Sequence, residues 1–394
     1  MDYKQNLNEH LNVQDGIQKI VLVPKNLVHK SKISVISLVD ILISIFVVGP
    51  LVVLTWRGLW GYMDIHAEYF PVWPCFLLGL SAHVMLAMIQ NSLHSLLLWN
   101  HNWYQKLISN IIRRIYTFGF LVVSILHWRN GWAIIDSLTH VEYGPDMLVK
   151  RESCQLALIL SVTCYGVLAA IKSLRNAIAT PFAICIDKSD YVFRFPTMLN
   201  DKRDTSYLLL ILDCILSVVL VANLVMIFWR GLFIVVDVIL LPENLIASAW
   251  SSVVIGLLFV GLVFRIQGFM KTLCSEKVGL LRLIIADFYI SLTIIATVFY
   301  WRGLWYLINI YFLPSVPDLS NLVSVAIGFL ALVLLNCSNT LLVRGVCLDA
   351  KEPKGECVIF PCQYLSIILK QDNTMTKTDA SEEELINKNE NANV

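Results

Sequence analysis

The chain has 394 residues, 57% of them hydrophobic and 15% charged, with a formal net charge of +1 and a mean hydropathy of +0.69. A soluble domain carries about a quarter charged residues and a single aqueous core stops growing near this length, so the composition excludes an ordinary soluble fold and points to lipid as the solvent. The near-neutral balance also excludes a nucleic-acid surface, which needs clustered positive charge.

Residues 1–32 contain polar and charged positions throughout, so no cleavable signal peptide is expected and the first span takes that role. Eight segments then reach the ~20 apolar residues that cross a bilayer: 33–60, 72–99, 110–133, 154–175, 206–234, 244–270, 283–307 and 319–343. Pro50 falls inside the first, a break that spans tolerate when neighbours re-satisfy the freed backbone. The fold class is therefore all-α, a polytopic transmembrane helical bundle of about eight spans. Lys and Arg collect on the side shared by the termini and the even-to-odd connections, among them Lys25, Lys106, Arg175, Lys277 and Lys351, whereas the other side holds only Lys150 and Arg151 outside the motif below. Positive charge marks the cytoplasmic face, so both termini are expected there, in a plasma membrane. The chain divides into an N-terminal cytoplasmic segment 1–32, a four-span unit 33–176, a cytoplasmic connection 177–204, a second four-span unit 205–345, a cytoplasmic segment 346–370 similar to 184–199, and a polar disordered tail 371–394.

The odd-numbered spans end in one motif: Trp56-Arg57-Gly58-Leu59-Trp60, Trp128-Arg129-Asn130-Gly131-Trp132, Trp229-Arg230-Gly231-Leu232-Phe233 and Trp301-Arg302-Gly303-Leu304-Trp305. Seven residues after each Arg stands Asp64, Asp136, Asp237 or Asn309, and Pro71, Pro145, Pro242 or Pro314 follows. The step along the chain from Trp56 to Trp229 equals that from Trp128 to Trp301, and the shorter step between the two copies is the same in each half. The two halves thus repeat in parallel, each a pair of helical hairpins. Asp40 and Asp213 share the half-to-half spacing, and Cys185-Ile186-Asp187 and Phe195-Pro196 find counterparts in Cys347-Leu348-Asp349 and Phe360-Pro361.

Trp favours the headgroup region, and Arg beside it snorkels or stacks on a ring. On one straight helix an Arg and an acid seven residues later differ by about 20° in azimuth and about 10.5 Å along the axis, too far for a direct bridge. Either the chain turns back at the Gly or each Arg pairs with the acid of a neighbouring copy, closing a ring at the outer mouth in which neutral Asn309 leaves one Arg short. Interfacial anchoring of helix depth explains the motif without any ligand, a ring that binds or filters something is the second reading, and a docking surface for a partner is the third.

Few other polar groups lie within the spans. Asp40 and Asp213 read as interfacial residues, and Arg114 and Asp287 as solvated or paired across the halves. Gln90, Asn91 and His94 in the second span, with Asn336 and Asn339 in the eighth, form interrupted polar clusters that read either as interhelical hydrogen bonds or as a polar pocket between these spans. Ten scattered cysteines give neither a metal spacing nor a disulfide framework. Whether Cys75 and Cys154, near the outer ends of their spans, are bonded stays open. With no metal set, cofactor fingerprint or catalytic motif, a non-enzyme is expected.

With its four Trp-Arg-Gly repeats, the acid that follows them and Phe195-Pro196-Thr197, the chain resembles the fuseless family of invertebrates across about residues 33–363. Asn130, Phe233 and Asn309 depart from the pattern, so the four sites are not equivalent. The resemblance implies an eight-pass presynaptic membrane protein that organises calcium channels and supports neurotransmission. Its partners would be the lipid bilayer and an ion channel or other synaptic membrane protein. The alternative is a transporter or channel for a small anion or lipid, with its path between the halves.

Overall fold

The computed structural model describes residues 35–96, 102–144, 148–187, 192–199, 207–353, 355–362 and 364–365. The N-terminal segment 1–32, the tail 371–394 and Pro145 lie outside the described residues. Among the described residues eight longer helices follow in order: α1 (Val35–Ile65), α2 (Val72–Leu96), α3 (Trp103–Leu138), α4 (Gln155–Ala170), α5 (Leu208–Ile239), α6 (Leu245–Glu276), α7 (Gly279–Tyr311) and α8 (Pro317–Leu334). The fold is all-α; among the described residues the only β pairing is an isolated bridge, Tyr143 to Val149. Seven helices have the length and apolarity to cross a membrane, and α4 is shorter. At 1.5 Å per residue α4 spans about 24 Å, against the roughly 30 Å of a hydrocarbon core.

Two expected spans therefore end early, and for one reason. Lys172 and Asn336 adopt left-handed φ values of 56° and 54°, and each stop is a Schellman turn. Ser173 N donates to Leu168 O and Lys172 N to Ala169 O; Cys337 N donates to Leu332 O and Asn336 N to Val333 O. Helix α4 stops at Ala170 rather than near 175, and α8 at Leu334 rather than near 343.

The helices pair one step out of phase with the hairpins expected within each half: α2 with α3, α4 with α5 and α6 with α7 are consecutive, and α8 returns to α1. The motif helices α1, α3, α5 and α7 touch one another in a closed cycle, and each takes its main partner from the remaining four: α1 packs on α8, α3 on α2, α5 on α4 and α7 on α6. The two halves interlock, because α4 lies on the first helix of the second half and α8 on the first helix of the first half. Small residues permit these close contacts. A Cβ at Gly58 would lie 2.7 Å from Asn321 O on α8, and one at Gly303 2.6 Å from Val253 N on α6. In the second copy Asn130 occupies the place of that Gly. It is fully buried, donating to Leu126 O at 2.7 Å. The small residue moves to the partner helix instead, where Gly79 on α2 abuts His127 N.

These contacts predict a graded result. Gly58→Ala and Gly303→Ala push backbone against backbone and are expected to destabilise by about 1–3 kcal/mol. Gly131→Ala meets side chains alone, flexible Met226 and, at 3.3 Å, the Phe76 ring, and Gly261→Ala meets open space. Thermal unfolding of the detergent-purified protein checks the ranking; equal losses at Gly58 and Gly261 would refute it.

α1 and α5 each contain a π-helical segment at matching places, Ser44–Val48 and Leu216–Ala222. In α1, Pro50 supplies no N–H for the Phe46 carbonyl, and the widened turn offers Ile45 O to the Tyr300 hydroxyl at 2.6 Å. Ser44 Oγ donates to Pro181 O at 2.5 Å, and its counterpart Ser217 Oγ accepts from Met198 N at 2.9 Å.

The segments after α4 and α8 are not solvated connections. Phe182, Phe193, Val346, Val358 and Phe360 are buried among the helices. Irregular backbone at membrane depth survives only when protein satisfies its polar groups, and here each segment satisfies the other. Ile184 N donates to Pro361 O, Asp187 N to Asn336 O, Val346 N to Pro196 O and Asp349 N to Lys172 O, at 2.7–3.0 Å.

Candidate functional site

The four motifs meet at one end of the bundle in three tiers. A Trp begins each copy and faces the inner axis. Trp56, Trp128, Trp229 and Trp301 form a closed ring, with neighbouring centroids 5.6–6.1 Å apart and planes at 76–84°. Each edge-to-face contact contributes about 0.5–1.5 kcal/mol beyond burial. Three indole N–H groups are satisfied by the irregular segments: Trp56 donates to Leu341 O, Trp229 to Ala177 O and Trp301 to Thr180 O, at 2.8–3.0 Å. One helical turn on, about 6 Å along the axis, a second aromatic tier places Trp60 against Trp132 and Trp305, and Trp132 against Phe233, at 5.0–5.6 Å.

The third tier is the charge ring. Each Arg donates through Nε to the seventh-residue partner of the preceding copy: Arg129 to Asp64 at 2.6 Å, Arg230 to Asp136 at 2.7 Å and Arg302 to Asp237 at 2.8 Å. Arg57 closes the cycle on Asn309 Oδ1 at 2.7 Å. Pairing therefore runs between copies, and the site holds four guanidinium groups against three carboxylates. Second donors tie the ring to the outer helices: Arg57 to Ser320 Oγ and Arg302 to Ser248 Oγ, both at 2.9 Å. Arg230 instead reaches the Tyr143 hydroxyl at 2.8 Å, and that hydroxyl donates to Asp136. The three acids differ sharply in exposure, with side chains 54%, 13% and 2% exposed at Asp64, Asp136 and Asp237.

Buried charge of this kind sets register more than it adds stability. All twelve motif residues from the sequence come together here. The five polar-pocket residues do not. Gln90 accepts from Phe195 N at 2.8 Å and donates to Ala87 O, Asn91 is exposed and His94 is buried. Asn336 and Asn339 belong to a different cluster, built around Asp187.

That cluster was marked in the sequence only as a repeated Cys-x-Asp. Asp187 accepts from Ser338 N at 2.8 Å, Asn339 N at 2.6 Å and Ser338 Oγ at 2.7 Å, and pairs with Arg114. It caps the short 3₁₀ turn that follows α8. Arg114 also reaches Asn336 Oδ1 at 3.0 Å, and Asn339 Oδ1 accepts from Thr117. Reciprocally, Asp349 caps the turn that follows α4, accepting from Leu174 N at 2.7 Å and Arg175 N at 2.9 Å. Burial pushes the Asp349 carboxyl up to about 6, against the pull of those two amides and of the Arg175 charge.

These contacts bear on three readings of the sequence. Arg114 pairs with Asp187, not with Asp287. Asp40 and Asp213 are enclosed by protein, each 2% exposed. Asp40 accepts from Leu365 N at 2.5 Å, and Asp213 from Leu199 N at 2.7 Å and the Thr197 hydroxyl at 2.5 Å. Cys75 and Cys154, left open as a pair, are both free thiols.

The same interior leaves His83 with neither ring nitrogen hydrogen-bonded, at 3% exposure. It lines a cavity of about 30 Å³ shared with Arg344, Ser217 and Trp128, which is room for an ordered water. Among the described residues, no group of three or more His, Cys, Asp and Glu side chains is placed to hold a metal.

A family model described as Fuseless matches residues 35–342. No curated protein and no solved structure matches the chain.

Proposed function

From the premise that this chain belongs to the Fuseless family, we propose that it is a non-enzymatic multi-pass plasma-membrane protein that organises or regulates channels at the presynaptic membrane. The observation that carries this reading is the packed axis. The four indoles at its centre are 4–7% exposed and touch around the whole ring. Side chains lining a water-filled path would be wetted. The outer Arg residues are bound to acids, Asn or hydroxyls of the same chain. A rigid, parallel four-motif end of this kind suits a docking platform.

Eight passes with both termini cytoplasmic fit the positive bias of the non-motif end, with short α4 completing its crossing through the irregular segment that follows. The matched motif spacing, π segments and reciprocal Asp caps support two interlocked parallel halves. The calcium-channel partner rests on the family likeness alone. Cross-linking in neuronal membranes followed by purification of the tagged chain is expected to retain a channel subunit at stable stoichiometry. Recovery of the chain with no channel subunit would count against it.

One observation favours the transporter reading. α4 and α8 stop partway along their partners, and irregular backbone meets inside the bundle, as in carriers built from repeats. In this structure that backbone is satisfied by protein, so conduction would need a different arrangement of the halves.

A further inference from the structure

At the end of the bundle opposite the motifs, a cavity of about 650 Å³ opens between the first turn of α7 and the chain after α4 and α8. It falls within the roughly 300–1,000 Å³ range of small-molecule sites. Lys172, Arg282 and Lys351 stand in its wall, with Asp349 as the one acid. The Asp349 carboxylate is already engaged by the amides of Leu174 and Arg175. The Arg282 Nε is buried without a hydrogen-bond partner, and its nearest acceptor contact is a weak one, from Nη2 to Cys357 Sγ at 3.6 Å.

The wall also includes Gly279 and Leu280, the first residues of a 33-residue helix whose N-cap, Val278, offers no side-chain acceptor. Their amides have no helical partner, and the helix dipole adds positive potential there. Anionic oxygen is the complement of this wall. The rest of the lining is apolar, and it continues onto lipid-facing helix. Leu280, Ile284 and Phe288 recur every fourth residue on one face of α7, at 71%, 55% and 67% exposure. A ligand with a phosphorylated head in the cavity and acyl chains along that face would satisfy both parts.

We propose that this cavity binds the headgroup of an anionic phospholipid, with Lys172, Arg282 and Lys351 and the α7 amides on the phosphate and the acyl chains against Leu280, Ile284 and Phe288. A basic pocket between spans near the membrane surface is a recognised form of lipid site. The inference is independent of the channel-organising role, since it rests on this wall alone.

The test uses the full chain in nanodiscs of phosphatidylcholine doped with phosphatidylserine or phosphatidylinositol bisphosphate, read by native mass spectrometry of retained lipid. Retention of the bisphosphate lipid at least tenfold over phosphatidylcholine is expected, with phosphatidylserine between. Lys172→Gln with Lys351→Gln, both exposed in the protein, should reduce retention at least fivefold without moving the unfolding temperature. Lys150→Gln at the opposite end should change nothing. Soluble inositol trisphosphate and inorganic phosphate form the second arm. The proposal requires that each compete only weakly, because neither has an acyl chain. Equal retention of zwitterionic and anionic lipid, unchanged binding in the double variant, or full competition by the soluble phosphates would overturn it.

Discussion

Replacing Asp237 with Ala is expected to destabilise the protein by about 3–5 kcal/mol, the usual penalty for stranding one member of a buried ion pair. Arg302 is fully buried, and its Nε bond to Asp237 sits beneath the Tyr306 ring, 4.8 Å from the guanidinium carbon. With side chains 0% and 2% exposed, the pair is closed to bulk solvent. The same change at Asp64 removes a partner that is 54% exposed, and a loss of only about 0–1 kcal/mol is expected. Asp136, at 13% exposure, falls between them. Combining Asp237→Leu with Arg302→Met should restore most of the loss, since a well-packed apolar pair often replaces a buried ion pair at little cost. Denaturant midpoints in detergent read the series. A flat ranking across the three acids would contradict the graded burial of their ion pairs.

The second large effect is expected at Asp187. Asp187→Ala strands the buried amides of Ser338 and Asn339 and removes the partner of Arg114. Each stranded buried group costs about 1–3 kcal/mol, and the Arg114 side chain, at 27% exposure, is discounted for solvent. A total on the order of 4 kcal/mol follows from those two amides and the discounted pair. Asp349→Ala strands two amides but has no Arg side chain hydrogen-bonded to it, and burial already pushes its carboxyl up to about 6. Its loss should be roughly half as large. Hydrogen exchange localises the result: Asp187→Ala should expose the turn after α8, although the acid belongs to the segment after α4. If protection fell only near residue 187, the reciprocal capping would be wrong.

The sequence carried the helices well, because apolar runs of this length have one solution in lipid. It also carried the outer ring. The axial gap between an Arg and its own acid left pairing between copies as one of two options, with neutral Asn309 leaving one Arg short of an acid, and the structure shows that Arg to be Arg57. It misplaced the ends of α4 and α8, since apolarity continues past Ala170 and Leu334 while the backbone turns at Lys172 and Asn336. Neither residue is the Gly that usually signals such a turn. The segments after α4 and α8 read from the sequence only as cytoplasmic connections. Asp40, Asp187, Asp213 and Asp349 are instead acceptors for backbone that would otherwise be stranded inside the bundle. Hydropathy scores such acids as exposed, and only their repetition in the two halves hinted otherwise. The packing of α8 on α1 joins opposite ends of the described chain, as in the bond from Arg57 to Ser320, and local pattern carries no information about it.

Flux through the purified full chain in proteoliposomes tests the central claim of a packed, non-conducting axis most directly. With a panel of chloride, phosphate, small carboxylates and fluorescent lipid, the account predicts rates equal to those of empty liposomes. Neutralising Arg57, Arg129, Arg230 and Arg302 should then leave that baseline unchanged. Solute or lipid movement above baseline that falls when those four residues are neutralised would contradict it and make the ring the mouth of a pathway.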